Sequence, residues 1–131
     1  MITEEMKSKC DVLSAKIIGC AIEVHKNLGP GLLESTYEAC LCYELSNLNL
    51  KFLRQNDLPV VYKNIKIDAG YRIDLLVEDL VILELKSVEK VLNIHKSQLK
   101  TYLKLSEKWL GLLLNFNVDL MKDGIERVVF G

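Results

Sequence analysis

A strong charge of one sign is the first thing this chain lacks. Its 131 residues carry 17 Lys and Arg against 18 Asp and Glu, a net charge of −1. That excludes a wholly basic clamp for nucleic acid but leaves room for a local patch. Long apolar runs are missing too. The longest, Trp109 to Leu114, has only strand length, so no membrane span is expected. The opening Met1 to Lys9 carries acids and no apolar core, so no secretion leader is expected and the cytoplasm is the expected compartment. The four cysteines, Cys10, Cys20, Cys40 and Cys42, form no C-x-x-C pair. Zinc and iron–sulfur sites are therefore set aside in favour of reduced thiols acting as small core residues. No repeat, linker or low-complexity segment interrupts the chain. With 50% apolar and 27% charged residues, it fits one globular domain over residues 1–131.

Against this even background one stretch stands out, Tyr71 to Lys86, reading YRIDLLVEDLVILELK. It has the form of two buried strands joined by a tight turn. Three charged residues, Asp74, Glu84 and Lys86, interrupt its Leu, Ile and Val. An unpaired charge in such a strand is costly, so these three need a reason. Strand side chains alternate, which puts Glu84 and Lys86 on one face and Val81, Leu83 and Leu85 on the other. Whether Asp74 meets Glu84 depends on the turn. A two-residue turn at Glu78-Asp79 pairs Asp74 with Leu83 and separates the acids; a three-residue turn that includes Leu80 pairs Asp74 with Glu84. The odd register, or a bulge with the same effect, is expected. Two facing carboxylates destabilise a sheet. A divalent cation between them reverses the sign, and oxygen ligands with room for water suit Mg²⁺ or Mn²⁺. Lys86, one pleat along, then reaches a water or a phosphate oxygen. The plain alternative is a Glu84–Lys86 surface pair on an edge strand.

Residues 3–27 read as a long helix. Met6, Cys10, Leu13, Ile17, Ala21, Val24 and Leu28 recur at helical spacing and make one apolar stripe, which also suits a dimer interface. His25 falls in the last turn, where contact with free carbonyls is preferred to a role in the site. Asn27-Leu28-Gly29-Pro30-Gly31 breaks the chain, and a second helix is expected over 32–47. Glu34 in its first turn is either an acid favoured by the helix dipole or a third acid reaching the site. Tyr37, one turn on, is either a core residue with its hydroxyl at the rim or part of that site. Strands are expected over 51–55 and 58–67, with Lys63-Asn64 as a turn or bulge. A helix over 91–106, a buried strand over 109–116, a polar turn over 119–124 and a short strand over 127–130 complete the chain. On the helix, His95, Gln98 and Tyr102 share one stripe. Lys96, Lys100 and Lys104 make a second, positive one, which is either a solvated face or a track for phosphates. Positions for stacking a single strand are few: Tyr37, Tyr62, Tyr71 and Tyr102, each of which also fits a core.

Taken together, these segments resemble the GxxExxY protein family, a branch of the PD-(D/E)xK nuclease-like superfamily. The signature stands as Gly31-Leu32-Leu33-Glu34-Ser35-Thr36-Tyr37. Further matches are the stretch from Val24 to Gly31, Tyr71-Arg72-Ile73-Asp74, Glu84-Leu85-Lys86, Gln98 with Tyr102-Leu103, and Gly111 to Phe116. Ile73 stands where the superfamily name has Pro. The resemblance implies an α/β fold of mixed α+β type: a restriction-endonuclease-like core with a mixed central sheet flanked by helices, the first one long. It implies a metal site for Mg²⁺ or Mn²⁺ at Asp74, Glu84 and the carbonyl of Leu85, with Lys86 beside it as a catalytic residue. Glu34 and Gln98 are the further catalytic candidates it implies. Tyr37, His95 and His25 follow as supporting residues, and Lys96, Lys100, Lys104 and Tyr102 as nucleic-acid contacts. The implied activity is metal-dependent hydrolysis of phosphodiesters, with DNA the favoured substrate. The alternatives are a non-catalytic nucleic-acid- or partner-binding module on the same fold, or a subunit active only in a larger complex. A homodimer or an unidentified protein partner is the expected assembly.

Overall fold

Val77 and Val81 face each other across the loop Glu78-Asp79-Leu80, with Leu76↔Ile82 and Leu75↔Leu83 next along the ladder. This is the odd register, and its continuation brings Asp74 opposite Glu84. The loop achieves it by putting both Glu78 (φ 52°) and Asp79 (φ 56°) in the left-handed region. The Leu80 amide then closes the turn onto the Val77 carbonyl at 2.9 Å. In this computed structural model, which describes residues 2–131, the hairpin strands are β4 (Arg72–Val77) and β5 (Val81–Lys86). They form the middle of the sheet.

The remaining elements are α1 (Glu4–Leu28), α2 (Glu34–Asn47), β1 (Phe52–Asp57), β2 (Val60–Tyr62), β3 (Ile65–Ile67), α3 (Asn93–Ser106), β6 (Leu110–Asn115) and β7 (Ile125–Val129). A 3-10 turn over Met121–Gly124 leads into β7. The main sheet has the order β1-β4-β5-β6-β7, and β2 pairs only with β3. All pairs in the main sheet are antiparallel except β5 with β6. A parallel pair needs a long crossover, and α3 is that connection. The second expected strand is thus a separate hairpin. Lys63 (φ 48°) and Asn64 (φ 68°) form its turn, the two-residue left-handed geometry that suits a tight hairpin.

Each face of the sheet has its own core. Leu75, Val77, Val81, Leu83 and Leu85 pack with α1 and α2. Ile73, Leu76, Ile82 and Leu113 pack with Leu99, Tyr102 and Leu103 of α3. Every residue of β6 is buried, as expected for a central strand covered on both sides. Gly111 in β6 lets α3 seat closely, since a Cβ there would lie 2.8 Å from Leu99 Cδ1. On α1, Cys10, Leu13, Ile17, Ala21 and Val24 are all buried in this core. The middle of the stripe considered for a dimer interface thus packs in the chain's own core, while Met6 is half-buried and Leu28 exposed at its two ends. Cys10, Cys20, Cys40 and Cys42 are free thiols, and burial pushes the thiols of Cys10, Cys20 and Cys42 up. Among the described residues, no helix is long and apolar enough to cross a membrane.

Candidate active site

The β4–β5 ladder stops at Leu75↔Leu83, and beyond it side chains take the place of backbone. The Leu85 amide donates to Asp74 Oδ2 at 2.8 Å, and the Asp74 amide points at Glu84 Oε1 at 3.5 Å. The two carboxylates are thus set into the seam between the strands. The pleat breaks at the same point. Regular alternation would put Ile73 on the face of Leu75 and Val77, yet Ile73 packs with the α3 cluster and the other two with the α1–α2 cluster. Glu84 keeps only 6% of its surface exposed. Its carboxyl is pushed up to about 8, first by burial and then by the charge of Asp74, with Lys86 offsetting only part. Asp74 is raised as well, mainly by burial, against the opposing pull of the Leu85 amide. Lys86 is half-buried and takes part in no salt bridge among the described residues.

Behind Asp74 lies a second buried acid, Glu38, which no sequence pattern singles out. Gln55 Nε2 donates to Glu38 Oε1 at 2.7 Å and to Asp74 Oδ1 at 3.3 Å. Arg54 Nε completes the group at 2.7 Å from Glu38 Oε2. Gln55 is in the left-handed region, with φ 52°. Its neighbours pair as Arg54↔Leu75 and Asn56↔Ile73, while Gln55 itself, opposite Asp74, is unpaired. One level of the sheet is therefore opened across three strands, at Gln55, Asp74 and Glu84. The available signal was the polar run Arg54-Gln55-Asn56-Asp57 beside a hairpin with a buried acid. Nothing local says that Gln55 leaves the strand conformation.

The loop before α2 brings Glu34 up to this end of the sheet. Tyr37 is fully buried, and its hydroxyl donates to the Gly29 carbonyl at 2.6 Å while accepting the Leu32 amide at 3.1 Å. Its ring stacks on Phe116 at 4.4 Å. Gly29 (φ 68°) and Gly31 (φ 98°) supply the left-handed conformations that wrap the loop around this hydroxyl. With Leu32 held in the loop, α2 starts at Glu34 rather than at 32. Ser87 Oγ donates to the Leu32 carbonyl at 2.7 Å and ties the loop to the end of β5. Glu34 is exposed and its charge is felt at Glu84. The backbone after Lys86 is fixed by Asn115, whose side chain bonds both the amide and the carbonyl of Val88 at 3.1 and 3.0 Å. Tyr37, Asn115 and Phe116 thus position the residues on either side of the carboxylates without joining them.

From the other side, α3 contributes Tyr102, whose phenol is raised first by burial and then by the charge of Glu84. Gln98 and His95 line the same cavity as Tyr102. His95 Nδ1 accepts the Leu92 amide at 3.0 Å, so it caps α3 and, when neutral, carries its proton on Nε2. The lysine stripe does not converge on the carboxylates. Lys96 pairs with Glu126 of β7 at 3.4 Å, Lys100 and Lys104 are exposed, and none of the three lines the cavity. His25 lies outside the site as well: its Nε2 is 2.7 Å from the Val118 carbonyl, a tie between α1 and the segment after β6.

A sequence model of the PD-(D/E)XK nuclease superfamily matches residues 11–128. The chain belongs to the PD-(D/E)XK nuclease superfamily. No curated protein and no solved structure matches it. Nucleases of this superfamily generally use divalent metal ions, and the residues here fit one. Asp74 and Glu84 offer hard oxygen donors. Glu84 holds its proton near neutrality through burial and the charge of Asp74, which Lys86 offsets only in part; a cation between the carboxylates would favour their charged forms. Among the described residues, no group of three or more His, Cys, Asp or Glu side chains gathers as a ligand set. The pair supplies two side-chain carboxylates, the kind of sparse set that suits an ion retaining much of its hydration, as Mg²⁺ does.

Proposed function

We propose that the chain is a metal-dependent nuclease of the GxxExxY branch, hydrolysing phosphodiester bonds of nucleic acid, with DNA favoured over RNA. The observation that carries the reading is the opened level of the sheet, where Asp74 and Glu84 are side by side with Lys86 one pleat along. In this reading Asp74, Glu84 and the Leu85 carbonyl hold Mg²⁺ or Mn²⁺. When bound, that ion polarises the scissile phosphate and makes water a stronger nucleophile at neutral pH. Lys86 orients the attacking water or neutralises charge that develops on the phosphate oxygens. Glu34, entering from the tip of α2, takes a proton from that water or steadies it, and Gln98 and Tyr102 hold the substrate from the α3 side. Geometry around Asp74 is kept by Gln55 and Glu38.

The test is cleavage of single- and double-stranded DNA and RNA with Mn²⁺, Mg²⁺ or chelator, with Glu84→Ala and Lys86→Ala alongside. Metal-dependent cutting lost in both variants supports the reading and identifies the substrate class. Cutting that survives both, or no cutting and no Mn²⁺ binding, overturns it. The second reading is a non-catalytic binding module, or a subunit active only in a larger complex. It draws on the lack of a third metal-capable side chain beside Asp74 and Glu84 among the described residues.

A further inference from the structure

A cavity of about 780 Å³ lies between α3 and the β2–β3 hairpin, within the ~300–1,000 Å³ of small-molecule sites. Its lining contains no Asp, Glu, Lys or Arg. A phosphate or other ion seated in it would meet no Lys, Arg, Asp or Glu side chain, the His95 imidazole being the one ring nitrogen donor in the lining. What it offers instead is flat apolar surface with polar groups at its rim. Tyr71 and Tyr102 stand edge to face, with ring centroids 6.2 Å apart at 62°. Val60 and Ile67 of the hairpin form the facing wall, and Ser97, Gln98 and Thr101 supply hydroxyl and amide groups along α3. Tyr71 remains 44% exposed, an aromatic surface open to a ligand.

The cavity also adjoins the carboxylates. Tyr102 shares an apolar cluster with Ile73, the residue before Asp74, and with Ile82, which precedes Glu84 on the same face of β5. The influence of Glu84 and Asp74 on the Tyr102 phenol agrees with that closeness. A neutral planar ring with a hydrogen-bonding edge is the ligand chemistry this lining fits. Nearby, Lys86 and a cation held by Asp74 and Glu84 would complement the phosphate attached to such a ring.

We propose that this cavity receives an unpaired nucleobase of the substrate, next to the scissile phosphate, stacked on Tyr71 and contacted at its edge by Gln98 and Thr101. The proposal rests on the nuclease reading above and deepens it. In an intact duplex every base is stacked on both faces and paired at its edge, so only a single strand or an extruded nucleotide supplies this ligand. The substrate class is therefore nucleic acid with unpaired bases.

The test is fluorescence anisotropy of a labelled short single-stranded DNA and its duplex, with Mn²⁺ and Glu84→Gln protein to suppress cutting. The same Glu84→Gln protein is then combined with Tyr71→Ala, or with Thr101→Trp to fill the cavity. Both positions are exposed, and an unchanged Tm shows that folding is intact. The single strand is expected to bind more tightly than the duplex. Each added substitution is expected to weaken single-strand binding about tenfold, the scale of losing one stacked base, and to leave duplex binding unchanged. Equal affinity for the two forms, or indifference to both substitutions, overturns the proposal. The nuclease reading fails separately. Single-strand binding that depends on Tyr71, with no metal-dependent cutting by the unsubstituted protein, keeps the base site and removes the nuclease. Metal-dependent cutting with no effect of either substitution keeps the nuclease and removes the base site.

Discussion

In the proposed reading, Glu84 is the residue on which most of the chemistry turns. Its carboxyl, normally near 4.5, is raised to about 8 in the fold. Between those values the native state holds a proton that the unfolded chain has released. Stability from this group is therefore complete below the unfolded value and is lost as pH rises through about 8. The slope is at most about 1.4 kcal/mol per pH unit. Thermal denaturation in chelator is expected to show Tm falling from pH 5 to 9 in the native sequence, and Glu84→Gln is expected to flatten that fall. Binding a cation at neutral pH should expel the same proton. Calorimetric titration of Mn²⁺ at pH 7, in buffers of different ionisation enthalpy, is expected to report about one proton released. Thermal shift by Mn²⁺ should disappear in Asp74→Asn. The acid pair and the neighbouring lysine were legible in the sequence because a charge inside an apolar hairpin costs stability unless it serves a site. Glu38 and Gln55 were not, because their meeting depends on one left-handed residue in β1.

At the scale of elements, two devices hold the site open, and each can be removed separately. Gln55→Ala deletes the link from β1 to both Glu38 and Asp74. The change leaves the buried Glu38 Oε1 without its 2.7 Å partner, so a stability loss of about 1–3 kcal/mol is expected, and Mn²⁺ affinity is expected to fall about 10- to 100-fold, as for other groups that orient ligands. Tyr37→Phe leaves the Gly29 carbonyl and the Leu32 amide without their shared partner. Urea denaturation is expected to show a loss of about 1–3 kcal/mol. The spacing from Gly31 to Tyr37 is one loop and one helical turn, so the motif is first a folding device. It carries Glu34 to the end of β5 because the tyrosine that closes the loop lies on the buried side of α2. Helix boundaries were legible to within a few residues from caps and breakers. The starts of α2 and α3 each fall two residues later than expected, at Glu34 and Asn93; at α2 the Leu32 amide donates to the Tyr37 hydroxyl, a bond that no local preference announces.

Over the whole molecule, the site exists only where three layers meet: α1 and α2 on one face, the sheet, and α3 on the other. Gly111 sets the spacing of the last two. Gly111→Ala drives a Cβ against Leu99 and is expected to cost about 1–3 kcal/mol, read as a lower Tm. The lysine stripe of α3 tests the direction of approach. In the proposed reading the phosphate binds beside Lys86, and neither Lys100 nor Lys104 lines the adjoining cavity, so Lys100→Ala with Lys104→Ala is expected to leave the salt dependence of oligonucleotide binding unchanged. By itself the sequence determined most of the elements and the buried hairpin with its two acids. Apolar periodicity and turn residues act locally, and buried charges advertise themselves. Only the tertiary structure decided what each apolar stripe covers. It set the middle of the α1 stripe against the chain's own core and paired Lys96 of α3 with Glu126 of β7. It also joined Gln55 to Asp74 and opened a neutral cavity beside them. These outcomes depend on strand order, on one break in the pleat and on the packing of distant segments, none of which any short window of sequence contains.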